Sequence, residues 1–469
     1  MKIQYGNVAS PQCDCTNIPV ALTDATMQER LDKVLARMEA ESYDSLVIYA
    51  DLEHGNNFEY LTGFLPRFEE ALLVLHKDGH AYMVMGNENL NKVAHARISA
   101  TAVHCPYFSL PNQPMEVEKD FQSIMEQTQL KAGSKVGLVG WKNFTSRFED
   151  NQTLFDVPYY IVETIQSIVG EKVYNATYLF IGENGARCTN NVNEIAHYEF
   201  GAALASDCML KAMDALTPGI SEMELGNILN AYGQKNSVVT IAASGPRFIK
   251  ANLYPTENTV KVGDSISLTV GYKGGLSSRA GYAVHEAKEL EESQQGYVDD
   301  LVKPYFSAIA TWLEQAHCGM QGGQLYELMQ ETMPQERYHW GLCPGHLTSD
   351  EEWLSSNIYK GSKETIQSGM LFQTDIIPSL SGYAGTSVES TVLFADEALR
   401  KEIQDKEPEL WQRISKRIAY MKNELHIELN EDILPMCSTV AYLRPFLLNK
   451  EKAMQITCLL YTSPSPRDS

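Results

Sequence analysis

Few stretches of this 469-residue chain gather residues that could do chemistry, and their neighbours narrow them further. His285-Glu286 resembles the start of a zinc-binding helix. HEAKEL lacks the second histidine at i+4, however, so the pair reads as a solvated strand end. Cys13 and Cys15 are the one close pair among nine cysteines, and a zinc site needs a second pair elsewhere. Cys343 precedes His346 by three residues without the surroundings of a thiol protease, and reads as a packed thiol. Lys273 and Arg279 flank a glycine-rich turn. A guanidinium there could take a substrate carboxylate, and an exposed hairpin charge is the plain alternative. The most informative stretch is the strand pair GDSISLTVGYKGGLSSRAGYAV, residues 263–284, which carries no carboxylate after Asp264.

Periodicity gives the elements that must position such residues. Leu31, Val34, Leu35 and Met38 sit at helical spacing, and SLVIYA (45–50) reads as a buried strand. NNFEYLTGF (56–64), ALLVL (71–75) and HAYMVMG (80–86) follow as short apolar strands between polar turns. Strand–helix alternation continues to KVGLVG (135–140) and predicts a first α/β domain over residues 1–165. A second domain, 166–395, opens on a helix near 192–215 with Ile195, Tyr198, Ala202, Ala205, Met209 and Met213 on one face. Pro218-Gly219 stops it. Ser221 with Glu224 three residues on predicts a capping box for the next helix, whose stripe is Leu225, Ile228, Leu229 and Tyr232. A strand in VVTIAASGP (238–246) and the hairpin from Gly263 come next.

Beyond 395, Leu410, Trp411, Ile414, Ile418, Met421 and Leu425 share one side of a charged helical extension over 396–457. A dimer contact and a cap on the domain are equally open readings of it. Residues 458–468, CLLYTSPSPRD, match the translation of a transposon-type sequencing adapter. Segment 458–469 is therefore expected to be an artefact, with the native chain interrupted near Thr457.

Composition narrows the function classes. With 44% hydrophobic and 21% charged residues the chain is globular, and its length calls for more than one domain. A net charge of −22 repels phosphate backbones, which argues against nucleic acid as a partner. No apolar run approaches a membrane span, and MKIQYGNVAS lacks a secretory apolar stretch. A soluble, cytoplasmic protein with reduced thiols and no membrane partner is expected.

The helix–strand–YLTGF order, the helix–TPGISE–helix entry and the hairpin opening on Gly263-Asp264 resemble the pita-bread hydrolases: creatinase, prolidase, aminopeptidase P and methionine aminopeptidase. The resemblance covers nearly all of residues 25–395. It implies an α/β creatinase-like N-terminal domain plus an α+β pita-bread C-terminal domain, a small peptide or zwitterionic ligand, and a homodimer. In the family's metallopeptidases, Asp, Asp, His, Glu and Glu in that order hold two divalent metals. Carried over, the third position is His346 in CPGHL, the fourth is Asp375 in GMLFQTDIIP, where the family has Glu, and the fifth is Glu389 in GTSVESTVLF. The first falls on Thr269. The second falls on Ala280 without a gap, or on Ser278 if the turn is two residues shorter. None of these three can be a hard anionic ligand. The family's substrate-side histidine, which creatinase uses as acid/base without metal, is replaced by Asn252. A second histidine, seven residues after His346, is replaced by Trp353. Asn252, Trp353 and Arg279 are thus the expected substrate contacts.

Together, His346, Asp375 and Glu389 suit one divalent ion of Mn, Zn, Fe or Co, with open positions for water. Without metal, His346 becomes a general base oriented by Glu389 or Asp375, fit for amide or amidine hydrolysis. A third reading is a cleft that binds without turnover. The resemblance therefore implies an atypical Xaa-Pro peptidase or creatinase-like hydrolase, metal-free or mononuclear, with an inactive ligand- or partner-binding protein as the alternative.

Overall fold

A computed structural model of the chain describes residues 1–113, 119–250 and 253–457. Asn252 and the segment 458–469 lie outside these residues. The chain forms two compact units, and their boundary differs from the expected one. Residues 21–194 make one unit, and residues 1–20 join the chain from Ile195 onward in the other. The reason is a long-range pairing that a local reading cannot detect. Strand β1 (Ile3–Asn7) lies antiparallel to the strand Lys452–Ile456. Arg417 further fixes this segment through Asp14, at 2.6 and 2.9 Å.

The unit 21–194 is built on β2 (Ser45–Ala50), β3 (Ala71–His76), β4 (Ala81–Met85), β5 (Thr101–His104), β6 (Val136–Val139) and β7 (Val173–Asn175). They form one sheet in the order β5-β4-β3-β2-β6-β7, antiparallel from β2 through β4 and parallel elsewhere. Every residue of β2 is buried, as a central strand covered on both faces requires. NNFEYLTGF is not a strand. Its first seven residues form the helix Asn56–Thr62, closed by Gly63 in the left-handed conformation at φ 81°. Five of the seven residues are buried, with Asn56 and Glu59 partly exposed, and the closing glycine is the signal that separates helix from strand.

The chain passes into the other unit within the first turn of the helix Val192–Ala215 and continues through the helix Glu222–Leu229, with a complete Ser221/Glu224 capping box. Strands β8 (Ile241–Ser244), β9 (Ser265–Tyr272) and β10 (Gly275–Tyr282) form an antiparallel sheet with β9 central. A second antiparallel sheet holds β11 (His346–Leu347), β12 (Leu371–Gln373), β13 (Thr391–Phe394) and β14 (Ile433–Pro435), in that order. The final strand is β15 (Lys452–Ile456). Residues 396–457 are therefore part of this unit and not a separate extension. They supply β14 and β15, and their helix Pro408–Tyr420 buries Leu410 and Ile414. Among the described residues, no helix is long and apolar enough to cross a membrane.

Candidate functional site

Register decides what the hairpin presents. β9 and β10 join through Lys273-Gly274. Gly274 has φ 96°, and a Cβ there would run into the Tyr198 main chain. This turn sets Thr269 opposite Ser278, and their hydroxyls share a 2.9 Å hydrogen bond. Ala280 pairs instead with Ser267 and bridges to Ser387. Ala280 and Ser278 both lie along the segment that leads into β13, and Ser278, the one opposite Thr269, donates its N–H to the Glu389 carbonyl at 3.3 Å.

In the second sheet, His346 on β11 pairs with Gln373 on β12, which pairs with Thr391 on β13. Past the strand ends, Thr374 N–H donates to the Ser390 carbonyl, so the same register sets Asp375 opposite Glu389. Gly345, at φ 118°, brings the main chain against β12 just before the histidine. His346 is fully buried. Its Nδ1 donates to the Leu347 carbonyl at 3.1 Å, which turns Nε2 toward the acids. Nε2 lies 3.6 Å from Glu389 Oε1, 3.9 Å from Asp375 Oδ2 and 3.9 Å from Glu352 Oε1. Among the described residues, neither His346 Nε2 nor Glu389 Oε1 has a hydrogen-bond partner.

Burial pushes Asp375 well above the usual carboxylate range; Glu389 and Glu352 push the same way and His346 pulls back. Burial likewise raises Glu389, with Glu352 adding to it and the Arg279 charge opposing it. Two facing acids in a dry site cannot both ionise unaided.

Glu352 is the residue that the sequence left unnoticed. Leu347 N–H donates to Ser355 and Leu354 N–H returns to Leu347, closing the loop between them. Gly274 N–H at Ser349, with Tyr198 and Lys273 on Asp350, anchors the loop's near side. The next residues fold back over the histidine. Trp353 stacks on its ring at 4.1 Å with a 19° interplanar angle and remains 40% exposed. The acidic run Asp350-Glu351-Glu352 is the available signal, and the carboxylate that reaches in stands one position before Trp353.

Arg279 needs correction as a substrate contact. Strand alternation turns it to the face opposite Ser278, where it is fully buried. Its N–H groups go to the carbonyls of Ser278, Glu389, Thr439 and Tyr442 and to the Ser390 hydroxyl, leaving no donor for a ligand. Lys273 is committed to Asp350 at 3.4 Å. Asn252 lies outside the described residues.

Two family models match in sequence: the creatinase/prolidase N-terminal domain over residues 30–179, and metallopeptidase family M24 over residues 196–396. The chain belongs to the creatinase/prolidase family. Its two-domain pita-bread architecture is that of solved relatives. A prolidase from Thermococcus sibiricus matches with a TM-score of 0.62 at 18% identity, over 80% of this chain and 96% of that one. A dipeptidase from Mycobacterium ulcerans matches at 0.61 and 15%, over 80% and 94%. An Xaa-Pro dipeptidase from Bacillus anthracis matches at 0.59 and 14%, over 79% and 96%. At such identities the likeness shows the fold. No curated protein matches the chain in sequence.

The dinuclear metal set of creatinase/prolidase relatives does not fit this chain. Two of its five positions hold hydroxyls that satisfy each other, so the hairpin has no charge to offset a second cation. A single cation does fit, because the buried Nε2 and Glu389 Oε1 face one another without partners among the described residues.

Proposed function

We propose that this creatinase/prolidase relative is an atypical hydrolase of small C–N substrates, Xaa-Pro peptides foremost, working at a site that holds at most one divalent cation. The observation that carries the reading is the buried pair of His346 Nε2 and Glu389 Oε1, which has no partner among the described residues. Nature seldom leaves two such groups unsatisfied unless a ligand completes them.

His346 and Glu389 would hold the cation, whose contribution when bound is Lewis acidity toward water and a substrate carbonyl. The protein's own groups do the rest. The Nδ1–H bond to Leu347 fixes the imidazole tautomer, and Trp353 fixes its plane. Asp375, held toward its neutral form by burial and by Glu389, can carry the proton that a leaving nitrogen needs. The exposed part of Trp353 offers a flat apolar wall at the mouth of the site, suited to a proline ring. A cytoplasmic homodimer belongs to the same reading.

The test is turnover of Xaa-Pro dipeptides, longer Xaa-Pro peptides and creatine, followed by mass spectrometry with and without added Mn2+ or Zn2+. Peptide cleavage that falls about a thousandfold in a His346→Ala, Glu389→Ala double variant supports the reading. Cleavage unchanged by that double variant sinks it. The second reading, a ligand-binding protein without turnover, is favoured by the Thr269–Ser278 bond that closes the hairpin on itself. It expects calorimetric binding of the same peptides without cleavage, surviving both alanines.

A further inference from the structure

The aspartates missing from the hairpin leave a charge deficit, and one carboxylate enters the site from an unrelated direction. We propose that Glu352 is the third ligand of a single divalent-cation site made with His346 and Glu389. It stands in for the absent hairpin carboxylates from the loop that folds back over the histidine. This deepens the one-cation part of the functional reading and is independent of turnover, since a pure binding protein could hold the same ion.

The geometry favours this trio over the set expected from family positions. One donor atom from each of His346, Glu352 and Glu389 lies within 4.8 Å of the others, and no such group among the described residues includes Asp375. The separations from Nε2, 3.6 and 3.9 Å, sit close to the spacing of about 3.4 Å that donors take around a tetrahedral ion with bonds near 2.1 Å. Two of the three residues, His346 and Glu389, are more than nine-tenths buried, and among the described residues their facing atoms have no hydrogen-bond partner. Glu352 is 28% exposed at its side chain, so the site keeps a side toward solvent through which an ion can enter. The charges also balance: a neutral imidazole and two carboxylates neutralise a divalent ion. One nitrogen with two oxygens selects Zn2+, Mn2+ or Fe2+ over Ca2+ and Mg2+.

The test is made on the full-length protein, stripped with chelator, without substrate. Native mass spectrometry and calorimetry with Zn2+ and with Mn2+ give stoichiometry and affinity. One equivalent per chain is expected for the parent. Glu352→Gln should weaken binding by about a hundredfold or more, beyond what loss of an outer-shell partner costs, while the neighbouring Glu351→Gln leaves it unchanged. Thermal unfolding by circular dichroism checks that Glu352→Gln is folded. That variant should also lose the upward shift that Zn2+ gives the parent. A parent that binds neither ion overturns the proposal. So does a Glu352→Gln protein that binds like the parent, or one in which Asp375→Asn proves the costlier change.

Discussion

The hairpin β9–β10 and the rim of β11–β13 stand side by side and treat buried polar groups in opposite ways. On the hairpin, Thr269 and Ser278 spend their hydroxyls on each other. On the rim, His346, Asp375 and Glu389 face one another without a hydrogen bond, with Glu352 drawn in beside them. The first arrangement is complete as folded. The second crowds carboxyls into a dry space where burial resists their ionisation, which costs stability unless something arrives to offset their charge. Where residues satisfy each other, the fold is the beneficiary; where they do not, a missing ligand is the economical explanation.

That contrast can be broken most severely on the rim. His346→Ala with Glu389→Ala should abolish retention of Zn2+ or Mn2+ after desalting, measured by plasma mass spectrometry, and lower any peptide turnover by about three orders of magnitude. Restoring charge to the hairpin should convert it into a second rim. Thr269→Asp with Ser278→Asp is expected to destabilise the metal-stripped protein by about 4 kcal/mol in urea titrations, because two unpaired charges enter a buried face. Added Mn2+ should recover that loss, with the bound metal rising from one equivalent toward two. A double variant that is neither destabilised nor rescued would mean the hairpin no longer faces the site.

A buried acid with partners supplies the control. Burial alone would raise Glu199, but the Arg417 and Arg413 guanidiniums outweigh it and hold the carboxyl below its usual range. A depressed carboxyl contributes stability that is present above its unfolded pKa and fades as pH falls through the folded one. Glu199→Gln should therefore cost about 3 kcal/mol at neutral pH and flatten the acid side of the stability curve below about pH 4.5. Equal slopes in parent and variant would refute the pairing. The smallest effect belongs to the hairpin as it stands: Thr269→Val with Ser278→Ala should cost about 1 kcal/mol and leave metal affinity unchanged.

Local pattern made much of this legible. The helix Val192–Ala215 and the capped helix Glu222–Leu229 carry apolar stripes and a Ser/Glu pair that leave little choice. Antiparallel register then brings His346, Asp375 and Glu389 together from three separate segments. What escaped has a common cause, because it depends on contacts with no period. The helix Asn56–Thr62 buries five of its seven residues, Arg279 is enclosed by carbonyls of its neighbour Ser278 and of two distant segments at Glu389 and at Thr439–Tyr442, and Glu352 is aimed by a loop closed between Leu347 and Ser355. The pairing of β1 with β15 is the extreme case, since its two halves are short, unremarkable in sequence and separated by nearly the whole chain.

That last pairing sets an order of events on the ribosome. The segment 21–194 has every strand partner it needs once β7 has emerged, so it can fold while synthesis continues. β1 leaves the exit tunnel before every other strand described and pairs with the last of them. At about 5–20 residues per second the wait is tens of seconds, long against the microseconds in which a hairpin closes. For that interval β1 is an unpaired edge on a nascent chain, and completion of the unit that carries the histidine and its acids coincides with the arrival of β15.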